Sequence, residues 1–242
     1  YIGIQVTASP EDKAALEKEM KGYAAELEKS ESVAGIVNTS SSLIPYTTLP
    51  VSKTVFPRDI QNALDSVSVG SVKGPYLNAS DNTYNVIKLI ATTQAPDSVQ
   101  YRAINCANVS LDAAKNTADS IIKAVAAGAK FEDIAKKYNQ PAESQWLTAA
   151  QYEGQNLDAD NTKFIKAILN GTPNAVQKVD LAQNVVVIEV LARRAMATKY
   201  DAAVIKRTID FSKETYSKAY NAFSHFIASN NTLEEMEKNA AK

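Results

Sequence analysis

One cysteine, one histidine and one tryptophan stand in a chain of 242 residues. A lone Cys cannot close an intramolecular disulfide, and Cys106 with His225 cannot assemble a zinc site. Only carboxylates remain as metal ligands, and no calcium-loop spacing organises them, so neither a metal nor an organic cofactor is expected. Acidic and basic residues nearly cancel, 27 against 26, which leaves no global field to draw nucleic acid or an anionic membrane. No apolar run approaches the roughly 18 residues of a membrane span. Phosphate-cradling glycine loops, nucleophile elbows and paired-carboxylate signatures are all missing.

What is present has the composition of an ordinary soluble globular protein, 45% hydrophobic and 22% charged. The chain opens on the apolar run Tyr1-Ile2-Gly3-Ile4, without an initiator Met or a signal peptide, and ends inside a helical pattern at Lys242. It is therefore expected to be cut from something longer.

Ile2 to Thr7 reads as a strand. Ser9-Pro10-Glu11-Asp12 has the form of a helix start: a capping hydroxyl, proline at the first helical position and acids in the first turn. The helix it opens runs to about Lys29, with Leu16, Met20, Tyr23, Ala24 and Leu27 on one face. Ser110 caps a second such helix, whose stripe of Ala114, Ala118, Ile121, Ile122 and Val125 lies 98 residues further on. Asp59 to Val72 pairs likewise with Lys163 to Val176, and Val86-Ile87-Lys88-Leu89 with Val187-Ile188-Glu189-Val190.

Each unit reads strand, long helix, short helices, closing strand, which predicts a small α+β domain whose sheet is covered by helices. Pro96 in Gln94-Ala95-Pro96-Asp97 marks the expected boundary, giving tandem domains over residues 1–96 and 97–195. From about Thr198 to Ser229 neither Pro nor Gly occurs. Val204, Ile205, Ile209, Tyr216, Tyr220, Phe223 and Ile227 predict a long helix there, able to mediate self-association, within a C-terminal segment 196–242. Thr232-Leu233-Glu234-Glu235 has capping-box form and opens a last helix.

Residues 99–191 resemble the parvulin-type peptidyl-prolyl isomerases, the family that includes the periplasmic folding factors SurA and PpiD. Gly128-Ala129-Lys130-Phe131-Glu132-Asp133-Ile134-Ala135-Lys136-Lys137-Tyr138 is similar to the family's G-x-x-F-x-x-[LI]-A-x-x-[YF] segment. Trp146-Leu147-Thr148, the helix Phe164 to Leu169 and the strand Val186 to Leu191 follow in family order. In the first repeat, Ala63 to Pro75 and Tyr84 to Lys88 follow the pattern around the last strand.

The resemblance implies a histidine in the first and in the last strand of each domain. Those positions hold Ala103 and Val186 in the second domain, and about Gly3 and Asn85 in the first, so no catalytic residue is assigned. The family's Gly-Gly-Asp-Leu-Gly run is replaced through Ala142-Glu143-Ser144-Gln145, which reshapes the pocket rim. Trp146, Leu147 and Phe131 are the candidate peptide contacts.

The resemblance further implies a chaperone module of the bacterial periplasm or cell envelope, inner-membrane anchored in one reading of the full-length protein, with unfolded envelope polypeptides as partners. A working isomerase and an architectural or dimerisation module are the alternatives. Cys106 reads as a small strand hydrophobe and His225, between Phe223 and Phe226, as a surface residue. Tyr216, Tyr220 and Phe223 form an aromatic stripe able to pack or to meet clients, and Glu234, Glu235 and Glu237 a solvated face. Five Asn-x-Ser/Thr sequons, at Asn38, Asn78, Asn108, Asn170 and Asn230, carry no weight in a bacterial protein.

Overall fold

A computed structural model describes residues 2–141 and 143–240. Tyr1, Ala142 and the C-terminal Lys242, each used in a sequence reading above, lie outside the described residues.

The elements in chain order are α1 (Pro10–Lys29), α2 (Val33–Thr39), β1 (Val51–Ser52), α3 (Arg58–Leu64), β2 (Val72–Asn78) and β3 (Thr83–Asn105). Then come α4 (Leu111–Ala126), α5 (Phe131–Lys137), β4 (Gln145–Thr148), α6 (Ala149–Tyr152), α7 (Ala159–Asn170), β5 (Val176–Asp180) and β6 (Val185–Thr208). The chain closes with α8 (Lys213–Ser229) and α9 (Leu233–Ala240). The fold is α+β. Its six strands run in the order β1-β6-β3-β2, with β4 added to β3 and β5 to β6.

The series α1, α2, β1, α3, β2, β3 is followed by α4, α5, β4, α6, α7, β5, β6, and the closing strands do not stop where short ladders would. β3 has 23 residues and β6 has 24, so the boundary expected at residues 94–97 lies inside β3. The chain divides instead into two discontinuous compact units. One comprises the residues up to Ile44, Val72–Ile87 and those from Val204 onward; the other comprises Pro45–Ser71 and Lys88–Ala203.

The first unit is built on α1. Ser9 caps it as a full capping box: its hydroxyl accepts from Asp12 N at 3.1 Å, and Asp12 accepts from Ser9 N at 3.0 Å. Met20 and Leu27 of the expected stripe are fully buried, and Leu16, Tyr23 and Ala24 half-buried, where α1 packs on α2 and β2. Residues 2–7 form no strand. Strand residues of this unit come instead from β2, the start of β3 and the end of β6, where Val204 and Ile205 are buried.

The helix expected from Thr198 is therefore corrected: residues 198–208 are strand, and α8 begins at Lys213. Absence of Pro and Gly does not make a helix when Val204, Ile205 and Thr208 are β-branched and Ala202 to Lys206 are buried on both faces of a strand. The real start signal is Ser212, whose hydroxyl accepts from Thr215 N at 3.1 Å. Thr232 and Glu235 form the capping pair expected before α9.

The second unit alternates cleanly about its strands. Ile104, Cys106, Val185 and Val187 turn to one face, against Ala114, Ala118 and Ile121 of α4 and Phe131, Ile134 and Ala135 of α5. Val99, Tyr101, Val186, Ile188 and Val190 turn to the other, against Tyr152 of α6 and Ile165, Ile168 and Leu169 of α7. β4 pairs antiparallel with β3, Trp146 opposite Gln100 and Leu147 opposite Val99. β5 pairs antiparallel with β6, Val179 opposite Val186.

Candidate functional site

Ala103 and Val186, the two positions where the resemblance implies histidines, face the same apolar cluster. Val186 is 8% exposed within it, and Ala103 and Phe164 of α7 each pack half-buried against it. The Phe164 ring meets Tyr101 edge-on at 5.8 Å between centroids. Methyl and isopropyl groups stand at these two positions, and neither can donate or accept a hydrogen bond. The structure brings these two positions onto one face, but Asn85 belongs to the other unit. There it is fully buried in β3; its amide donates to Thr83 Oγ1 at 3.0 Å while its Oδ1 has no partner.

The three candidate peptide contacts separate by burial. Trp146 is half-buried, and the guanidinium of Arg194 lies 4.3 Å from its ring centroid. Leu147 is core, turned into the cluster shared with Val186. Phe131 is core on the opposite face, 2% exposed, with Arg102 stacked 5.0 Å above its ring and ion-paired to Glu132 and Glu189. Trp146 is thus the candidate whose ring reaches the surface.

Two features escaped the sequence reading. In the second unit Lys199 is wholly inaccessible, and its ammonium donates to Ser52 Oγ at 2.6 Å, Glu153 at 2.7 Å and Asp97 at 2.8 Å. The same unit holds a cleft of about 420 Å³, bounded by the 48–50 loop, β3, the C-terminal half of α7 and Asp201. Tyr46 donates to Asp201 at 2.9 Å, and burial holds that carboxyl above the ordinary range, outweighing the hydrogen bond.

Among the described residues, no group of three or more His, Cys, Asp or Glu side chains converges, and no helix is long and apolar enough to cross a membrane. His225 is exposed on α8 with Ser229 as its hydrogen-bond neighbour. Cys106 is 2% exposed, and burial pushes its thiol up to about 11. Its alkylation by iodoacetamide at pH 8 should be about a hundredfold slower in the folded chain than in urea, followed by intact mass, because so little thiolate forms. Comparable rates in both states would show the residue to be accessible.

Residues 84–194, just under half of the chain, match the family model of the PPIC-type PPIase domain. No curated protein and no solved structure matches the chain. The matched segment runs from the start of β3 into the first part of β6 and contains all six positions singled out above, and the match supports a parvulin-type peptidyl-prolyl isomerase domain there.

Proposed function

We propose that this chain is a chaperone module of the peptidyl-prolyl isomerase family that binds unfolded polypeptides of the bacterial cell envelope and catalyses imide rotation weakly. The observation that supports this reading is the pair Ala103 and Val186: both lie in the segment that matches the family model, and both positions, where the resemblance implies histidines, are apolar and packed on one cluster. Rotation about an X-Pro bond has a barrier of about 18–20 kcal/mol. An apolar surface still desolvates and twists the imide, and even a tenfold acceleration takes only about 1.4 kcal/mol. What is lost is preorganised polar support at the bond itself.

Binding has no such requirement. Trp146 supplies a half-exposed aromatic surface in the second unit. In the first, Phe211, Tyr216 and Tyr220 stack in sequence at 6.1 and 6.2 Å, and all three rings are exposed. Apolar surface of this kind favours extended, sequence-tolerant clients.

The test runs two assays at equal protein concentration: protease-coupled isomerisation of an X-Pro peptide, and light scattering by an aggregating outer-membrane polypeptide. Suppressed aggregation with at most about tenfold acceleration is expected. Acceleration of a thousandfold or more would establish the enzyme reading instead, and inactivity in both assays would leave an architectural module.

A further inference from the structure

Three clefts of the second unit meet along α7, and Lys166 lines all of them. The one bounded by the 48–50 loop and β3 holds about 420 Å³, within the range of about 300–1,000 Å³ usual for ligand sites. Leu49, Pro50, Ala91, Ala95 and Leu169 give it apolar walls. Four cations line the three clefts, Lys163, Lys166, Lys178 and Arg193, against two carboxylates, Asp180 and Asp201, although the whole chain has a net charge of -1.

These cations are not equally available. Arg193 is spent on the end of α7, donating to the carbonyls of Leu169 and Gly171. Lys178 pairs with Asp119 at 2.6 Å, and Lys163 donates to the Asp180 carbonyl. Lys166 is exposed, and its charge acts on the Asp201 carboxylate of the same cleft. Asp201 accepts a hydrogen bond from Tyr46; burial raises its pKa, while that bond and the Lys166 charge act in the opposite sense.

We infer that this trough is a second client subsite, which takes an extended peptide alternating apolar and acidic side chains, with Lys166 as its exposed cation. None of the family-derived positions lines it: Ala103, Val186 and Trp146 lie elsewhere in the unit. The inference rests on the client-binding reading above and adds a charge preference to it. A nucleic-acid strand fits less well, because apolar walls replace the run of free cations that a phosphate backbone requires.

Fluorescence anisotropy on the full chain would use a labelled peptide of alternating leucine and aspartate, its asparagine twin and an oligothymidylate. At low salt the aspartate peptide should bind about tenfold tighter than its twin, and half-molar salt should erase that gap. Lys166→Glu, at an exposed position, should remove most of the preference. Equal affinities, or a gap that survives Lys166→Glu, would overturn the trough while client binding stands. Tighter binding of the oligothymidylate would overturn it in favour of nucleic acid. Failure of both peptides together with unsuppressed aggregation would remove the client reading, and this inference with it.

Discussion

Lys199→Met should cost the protein about 3–5 kcal/mol, because it leaves Glu153 charged and enclosed without its partner. The Lys199 side chain is 0% exposed and that of Glu153 7%, while Asp97 at 45% can take up water instead. Glu153 would retain only the backbone N–H of Ser52 at 3.0 Å and its hydroxyl at 3.1 Å. The double variant Lys199→Met, Glu153→Gln removes the stranded charge and should recover more than half of the loss, as a double-mutant cycle in urea would show. An additive cycle would mean that lost packing, not the orphaned carboxylate, sets the cost.

The pH dependence has a definite sign. Burial works against the Lys199 charge, but hydrogen bonds to Asp97 and Glu153 and their charges prevail and hold its pKa above the ordinary 10.5. Such a raised value gives a stabilisation that is complete below the unfolded-state pKa and fades as pH climbs through the folded-state one. The gap between wild type and Lys199→Met should therefore stay level from about pH 6 to 9 and narrow above about 10.5.

No local pattern announces this cluster. Ser52, Asp97, Glu153 and Lys199 come from β1, β3, the end of α6 and β6, and they meet only after β1 has paired with β6, Ser52 opposite Lys199. The helices were legible for the opposite reason: Ser9 with Asp12, Ser110 with Ala113 and Thr232 with Glu235 are contacts three residues apart. The apolar stripes of α1 and α4 likewise need only the helical period.

Strand length was not legible. Apolar alternation marked the cores of β3 and β6, but their continuation through Pro96 and through Ala202 to Lys206 depends on partners distant in sequence. Residues 198–208 carry an apolar spacing compatible with either period, and burial on both faces decided for strand. At the candidate site, the resemblance located Ala103 and Val186 on the strands, whereas separating Trp146 from the buried Leu147 and Phe131 required packing information.

Gly74→Ala should destabilise the first unit by about 3–5 kcal/mol, combining backbone strain with overpacking. Gly74 sits in β2 at φ +116°, where side chains are strained, and a Cβ there would fall 2.4 Å from the Asn85 carbonyl oxygen and 3.1 Å from Val86 Cα. Both neighbours are backbone of β3, so no flexible side-chain tip can move aside. Nor is Asn85 free to retreat. Its amide donates to Thr83 Oγ1, which donates to Asp81 at 2.7 Å, and Asp81 pairs with the buried Lys206 at 2.6 Å. Displacing residue 85 therefore disturbs a polar chain that ends on a buried cation, whose partner is expensive to lose. Gly70→Ala is the control: at φ +87° it meets nothing within 4 Å, so conformational strain alone should cost about 1 kcal/mol. Urea unfolding of both variants separates the two contributions. Equal losses at positions 70 and 74 would show that β3 yields to the added methyl, and that the close approach of the two strands is not what requires glycine.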